Sequence, residues 1–159
     1  MTTMGWPAVL RDDINSALRD AMKSADKRRV STLRLINAAI KDRDIEARGQ
    51  GKPALSDDDV LALMQKMIKQ RQESLDIYEK AGRTDLVTQE REEIEIIAAY
   101  LPRQMSDDEA RAAIAAAISE TGAAGMKDMG KVMGLLRQRH AGKLDIAKAS
   151  PIVKAMLAG

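Results

Sequence analysis

The spacing of the apolar residues constrains this chain more than any other feature. They recur every three or four positions, as in the series Leu10, Ile14, Leu18 and Met22, and alternation with period two is hard to find. A spacing of three or four residues places side chains on one face of an α-helix. The pattern therefore predicts an all-α protein whose helices pack along their apolar faces.

Start signals divide this pattern into separate helices. Ser56, followed by three aspartates, is suited to begin a long helix. Ser106 and Glu109 form an S-x-x-E capping box before an alanine-rich helix. A final helix is expected to begin at Ser150, with Pro151 as its first helical residue. The signals predict two long helical hairpins followed by shorter helices.

Pro102 marks the predicted boundary between two domains, because the residue before a proline disfavours the α conformation. We expect a leader over residues 1–7, an N-terminal helical-hairpin domain over residues 8–102, and a small C-terminal helical domain over residues 103–159. The leader is expected to be ordered only by packing of Trp6. It has neither the basic nor the apolar region of a secretory signal, so a cytoplasmic location is expected.

The missing residue types exclude several classes of function. With no Cys and a single His, the chain lacks disulfides, thiol chemistry and a zinc site built from His and Cys. It has no P-loop, no G-x-G-x-x-G motif, and no apolar run long enough to cross a bilayer. A triad of Ser150, His140 and Asp145 is disfavoured because His140 lies in a basic stretch. We therefore expect no catalytic residue, metal or cofactor, and no association with membranes.

Charge is balanced over the whole chain but not along it. The chain has 26 basic and 24 acidic residues, whereas residues 102–159 have 9 and 6. A second basic cluster lies on the first hairpin. Solvated helix faces explain such runs more often than ligands do.

The segment Met129–Gly134 holds two glycines four apart inside a predicted helix, Gly130 and Gly134. Each costs about 1 kcal/mol relative to alanine, so something must offset that cost. The glycines either let another helix pack closely, which is the favoured interpretation, or let a ligand approach with Lys127 and Lys131 alongside. The sequence leaves both interpretations open.

Four glutamates, at positions 90, 92, 93 and 95, crowd the predicted fourth helix. Pairs three apart are able to hold a hard cation, but ion pairs with Lys66, Lys69 and Arg71 of the third helix are favoured. Arg71 also shares a helical face with Ser74 and Tyr78. This favours a polar network between the two helices over a binding surface.

Several longer motifs follow one another along the chain, and their order is specific enough to compare with known families. In the first domain they are Lys27-Arg28-Arg29, Ile68-Lys69-Gln70-Arg71, Arg83-Thr84-Asp85-Leu86 and Tyr100-Leu101-Pro102. In the tail they are Met129-Gly130-Lys131-Val132-Met133-Gly134, Gly142, Asp145 and Val153-Lys154. From about residue 8 to 158 this series resembles the GatB/YqeY family, and only the leader and Ser150-Pro151 depart from the family pattern.

The resemblance implies a C-terminal domain like the tail of GatB, a component of the glutamine-dependent amidotransferase that converts Glu-tRNA(Gln) or Asp-tRNA(Asn). In that enzyme the tail meets the tRNA elbow, and the catalytic centres lie elsewhere. The resemblance of the tail would give this protein the label of a carbon–nitrogen ligase with glutamine as amido-N-donor. The sequence shows no counterpart of either catalytic centre of that enzyme, the glutaminase or the ATP-using transamidase. The implied nucleic-acid partner is tRNA or an aminoacyl-tRNA. An amidotransferase or an aminoacyl-tRNA synthetase is implied as a protein partner.

The resemblance and the basic tail together give a set of candidate RNA-binding residues: Lys127, Gly130, Lys131, Gly134, Arg137, Arg139, Lys143 and Lys154. A second candidate surface comprises Arg28, Arg34, Lys41, Lys69 and Arg71. Recognition of RNA by shape needs phosphate-binding cations and few stacking aromatics. Two alternatives stay open: a protein-interaction adaptor or homo-oligomer with a methionine-rich surface, and an accessory to a catalytic partner. The sequence leaves the oligomeric state open.

Overall fold

The computed structural model describes residues 9–158, with Val9 described in its backbone only, and every regular element in that range is helical. The prediction of an all-α fold is confirmed, while the predicted leader over residues 1–7 lies outside the described residues. No helix in the described range is both long and apolar enough to cross a membrane. The elements are α1 (Val9–Lys23), α2 (Lys27–Gly49), α3 (Asp57–Lys80), α4 (Thr84–Ala98), α5 (Asp107–Thr121), a 3-10 turn (Met126–Asp128), α6 (Met129–His140) and α7 (Ile146–Ala158).

Side-chain caps set the starts of α3 and α5. The Ser56 hydroxyl accepts a hydrogen bond from the Asp59 amide at 3.2 Å, and the Asp59 carboxylate accepts one from the Ser56 amide at 3.1 Å. Ser106 and Glu109 form the same reciprocal pair, at 3.1 and 2.9 Å. Each box satisfies amides that the first turn of a helix leaves without a partner. Both predicted helix starts are confirmed.

The last helix begins earlier than predicted. It starts at Ile146, so that Pro151, expected as the first helical residue, is the sixth. The Asp145 carboxylate explains this start, because it accepts hydrogen bonds from the amides of Ala147 and Lys148 at 3.0 and 3.3 Å. A side-chain cap upstream therefore outweighs the preference of proline for the first helical position.

The described residues form two compact units that divide between Leu101 and Pro102. In the first unit α1 packs on α2, α3 pairs with α4, and α2 also lies against α4. Its core is built from almost wholly buried aliphatic side chains, among them Ile14, Leu33, Ile36, Met64 and Ile97. Independent folding of each unit, as separate domains would require, stays a prediction.

An arginine fork joins three parts of the first unit. The Arg11 guanidinium contacts both carboxylate oxygens of Asp44 at 2.6 Å and donates to the Leu55 carbonyl at 3.0 Å. The Leu55 amide in turn donates to Asp44 at 2.9 Å. The bonds from Arg11 lower the pKa of Asp44. This bidentate pair ties α1, α2 and the loop before α3 together.

The second unit is a bundle of α5, α6 and α7, in which α6 packs against both of the others. Its core is aliphatic, because no aromatic residue follows Tyr100 in the sequence. The fully or nearly buried members include Ile114, Val132, Leu136, Leu144 and Val153. Because α6 contacts both α5 and α7, one of its faces is buried between them. The identity of the buried residues therefore determines which residues of α6 are exposed to solvent.

Candidate nucleic-acid interface

The structure places the two glycines of the motif Met129–Gly134 on the outer face of α6. Val132, Met133 and Leu136 are buried in the core of the second unit. A helix makes one turn in 3.6 residues, so positions 130, 134, 137 and 138 fall together on the opposite side. The residues exposed on that side, here called the α6 face, are Gly130, Lys131, Gly134, Arg137 and Gln138.

The space around the two glycines decides between the two interpretations of the motif. A Cβ atom added to Gly130 or Gly134 would meet no heavy atom within 4 Å, apart from the backbone of its own helix. The favoured interpretation, close packing of another helix of the chain, is therefore wrong for the described residues, because α5 and α7 pack on the other faces of α6. The free-energy cost of about 1 kcal/mol per glycine has no offset inside the described chain.

Cations flank the bare backbone on the α6 face. Lys131 and Arg137 belong to the face, and Lys127 lies in the 3-10 turn just before α6. None of the three has a carboxylate within 4.0 Å among residues 9–158. Asp128 is close by, but its carboxylate accepts a hydrogen bond from the Ala124 amide at 3.0 Å. That bond, with the charges of Lys131 and Lys127, lowers the pKa of Asp128.

The remaining predicted RNA-binding residues lie on other elements or faces. Arg139 forms an ion pair with Glu120 of α5, on the side of α6 away from the glycines. Lys143 follows α6 in the loop to α7, and Lys154 lies on the exposed side of α7. Gln138, one turn beyond Gly134, was missed by the sequence analysis. Its four-residue spacing from the second glycine was the signal that would have identified it.

The second candidate surface is not assembled as the sequence predicted. Arg34, Lys41 and Lys69 are exposed. The Arg28 Nε atom, however, lies 3.1 Å from Glu92 of α4. Arg71 is nearly buried and joins α3 to α4 through a contact of 3.3 Å to the Glu93 carboxylate, and it also donates to the Met67 carbonyl of its own helix at 3.1 Å. Arg71 therefore holds the hairpin together, which confirms one of the predicted ion pairs of the glutamates. Lys66 and Lys69 are exposed and have no carboxylate within 4.0 Å among residues 9–158.

Glu90 lies beside this ion pair without a full set of partners. Gln89 donates to the Glu93 carboxylate at 3.2 Å, but the buried Glu90 Oε2 atom has no hydrogen-bond partner among the described residues. Burial raises the pKa of Glu90, the charge of Glu93 raises it further, and Arg71 opposes both. Within the described range no group of three or more acidic or histidine side chains is placed to hold a metal ion.

The open space around the glycines predicts the effect of filling it. Gly130→Ala and Gly134→Ala are each expected to raise the free energy of unfolding by about 0.5 to 1 kcal/mol, because alanine is the better helix former and meets no neighbour. Gly122→Ala is the matched control in the same unit. Gly122 has φ 67°, so the alanine there is expected to lower stability by about 1 kcal/mol. Chemical denaturation measures all three, and a loss of stability in both helical variants would restore the packing interpretation.

The environment of Glu90 predicts a pH-dependent gain for Glu90→Gln. A folded-state pKa above the ordinary value of 4.5 means that the unfolded chain ionises first, so the wild type loses stability as pH rises through this window. The glutamine side chain does not ionise, so the variant does not lose this stability. It should be more stable than the wild type at neutral pH, and the difference should vanish below about pH 4. Denaturation midpoints across this range test it, with the exposed Glu95→Gln as control; a gain that is constant with pH would contradict the assignment.

Most of the chain is similar to a known protein family. Residues 11–157 match the family described as Yqey-like protein. An uncharacterised protein of Schizosaccharomyces pombe is 34% identical over 94 residues, which cover 59% of this chain and 73% of that protein. Two proteins named altered inheritance of mitochondria protein 41, mitochondrial, come from Lachancea thermotolerans and Eremothecium gossypii, and are 36% and 34% identical over 56% and 53% of this chain.

The relatives differ from this chain in length. The matched segments span 46% and 44% of the Lachancea and Eremothecium proteins, less than half of each. The family match, by contrast, leaves only residues 1–10 and 158–159 of this chain uncovered. On that match, the chain belongs to the family of YqeY-like proteins.

Proposed function

We propose that this protein binds structured RNA, with tRNA or an aminoacyl-tRNA as the ligand, through the α6 face. One observation carries the proposal: Gly130 and Gly134 are exposed one turn apart, and nothing inside the described chain fills the space that they leave. A residue choice that destabilises a helix and has no internal reason is typical of a functional surface. The ligand must be one that approaches the helix backbone closely.

The charges around the glycines favour a polyanion as that ligand. Lys127, Lys131 and Arg137 are exposed and have no carboxylate partner among the described residues, so their charges are available to phosphates. Phosphate contacts fix the position of a nucleic acid, and they carry little sequence information. The second unit has no Phe, Tyr or Trp on which bases stack. Recognition would therefore rest on the shape of a folded RNA, as at the shallow minor groove of an A-form helix.

The choice of tRNA rests on the resemblance of the tail to that of the amidotransferase component GatB. An accessory role to an amidotransferase or to an aminoacyl-tRNA synthetase has the same basis. The second surface of Arg34, Lys41 and Lys69 belongs to this proposal only as an additional contact, without Arg28 and Arg71. The cytoplasm stays the proposed location, although two relatives are named as mitochondrial proteins.

Counterion release gives the proposal a quantitative test. If three to five phosphates are neutralised, the logarithm of the affinity for tRNA should fall with the logarithm of salt concentration at a slope of about −2 to −4.5. Lys131→Ala and Arg137→Ala should each flatten the slope by about one unit. Arg111→Ala, which removes an exposed charge from α5, should leave the slope unchanged. Fluorescence anisotropy with labelled tRNA measures all four slopes.

The glycines separate RNA recognition from simple charge attraction. Gly130→Ala with Gly134→Ala should weaken tRNA binding while keeping the salt slope, because the double variant blocks close approach and removes no charge. A linear RNA duplex of equal length should bind less tightly than tRNA. Absence of tRNA binding at low salt would remove the proposal and favour the protein-interaction alternative.

A further inference from the structure

A row of cations runs along the outer face of α2. Lys27, Arg34, Lys41 and Arg48 are spaced seven residues apart, and all four are exposed. None has a carboxylate within 4.0 Å among residues 9–158, in contrast to Arg11 and Arg28 of the same unit. Seven residues make nearly two helical turns, so the four charges lie on one side over a length of about 32 Å.

Small and apolar side chains lie beside this row. Ser31, Ala38 and Ile45 form a second series with the same spacing, and Leu35 lies between them. Leu35 is 46% exposed and Ile45 is 60% exposed. Asp42 lies among these side chains, and the exposed Glu46 follows one turn further along α2. The opposite side of α2 is the one that enters the core of the first unit, through Thr32, Leu33, Ile36 and Ile40.

We propose that this outer face of α2 binds an acidic amphipathic helix of another protein. Two helices that pack side by side repeat their contacts every seven residues, so a row with that spacing stays in register along the whole contact. Ser31 and Ala38 are small enough for a close approach, and Leu35 and Ile45 supply apolar contacts. The row from Lys27 to Arg48 then flanks the seam, where it meets carboxylates of the partner helix.

Two other occupants fit this surface less well. Phosphates gain nothing from the aliphatic side chains of Leu35 and Ile45, and a nucleic acid has no reason to match a seven-residue spacing. A second copy of this chain lacks the complementary row, because no described helix carries acidic residues at three successive positions seven apart. The proposal does not depend on RNA binding by the α6 face, which lies in the other unit. It shares Arg34 and Lys41 with the additional RNA contact proposed above, and the variants below separate the two roles.

A pair of synthetic helical peptides tests the proposal. Each has about four heptads with leucine at the seam positions and either glutamate or lysine at the flanking ones. The glutamate peptide is expected to bind the full chain at physiological salt, and the lysine peptide is not. Arg34→Glu with Lys41→Glu should weaken binding of the glutamate peptide by at least about tenfold. Lys66→Glu with Lys80→Glu, the same charge change on exposed residues of α3, should alter it by less than about twofold.

A further variant separates this surface from an RNA contact. Ile45→Ser should weaken binding of the glutamate peptide and leave binding of tRNA unchanged. All the substituted side chains are exposed, so circular dichroism and the thermal midpoint should show an intact fold in each variant. The proposal is overturned if the wild type fails to bind the glutamate peptide at about 1 mM, or if both charge-reversed variants lose affinity equally. It is also overturned if Arg34→Glu with Lys41→Glu reduces tRNA binding and spares the peptide, which would assign the row to RNA.

Discussion

The burial of one face of α6 is the constraint on which the candidate site depends. The second unit has no aromatic side chain, so its small core relies on aliphatic contacts such as those of Val132 and Leu136 with α5 and α7. Those contacts fix the rotation of α6 about its axis. Because the helical period is fixed, the same rotation turns Gly130 and Gly134 toward solvent. The position of the site is thus set by packing, whereas its composition works against helix stability.

Cations serve opposite purposes in different parts of the chain. Arg11 and Arg71 are directed inward, where each contacts a carboxylate of another helix and also donates to a backbone carbonyl. Removing one partner of a fully buried pair typically costs about 3 to 5 kcal/mol, since the other charge is left without compensation. A smaller cost is expected for Arg11 and Asp44, whose side chains are 21% and 18% exposed. Lys131 and Arg137 have no such role, and their replacement should leave stability almost unchanged. This contrast is the physical basis for treating the α6 face, and not Arg71, as a binding surface.

The sequence predicted those parts of the structure that depend on neighbours along the chain. The helix starts at Ser56 and Ser106 and the spacing of the apolar residues belong to this kind. The Arg11–Asp44 pair could not be predicted, because its partners lie 33 residues apart and only the packing of α1 on α2 brings them together. The start of α7 was misjudged because two local signals, Asp145 and Pro151, compete. The sequence alone predicts that Gly130 and Gly134 lower the stability of their helix. Only the open space around them in the structure shows that close helix packing is not the reason for these glycines.

The central claim is that the α6 face, bare at its two glycines, is where a folded RNA approaches the protein. Mapping amide chemical shifts of the isotopically labelled full chain during a tRNA titration tests this most directly. The account predicts that the largest changes fall on Gly130, Lys131, Gly134, Arg137 and Gln138, and that the outer side of α5 around Arg111 stays unchanged. Changes confined to α2, or spread evenly over all exposed lysines and arginines, would contradict it.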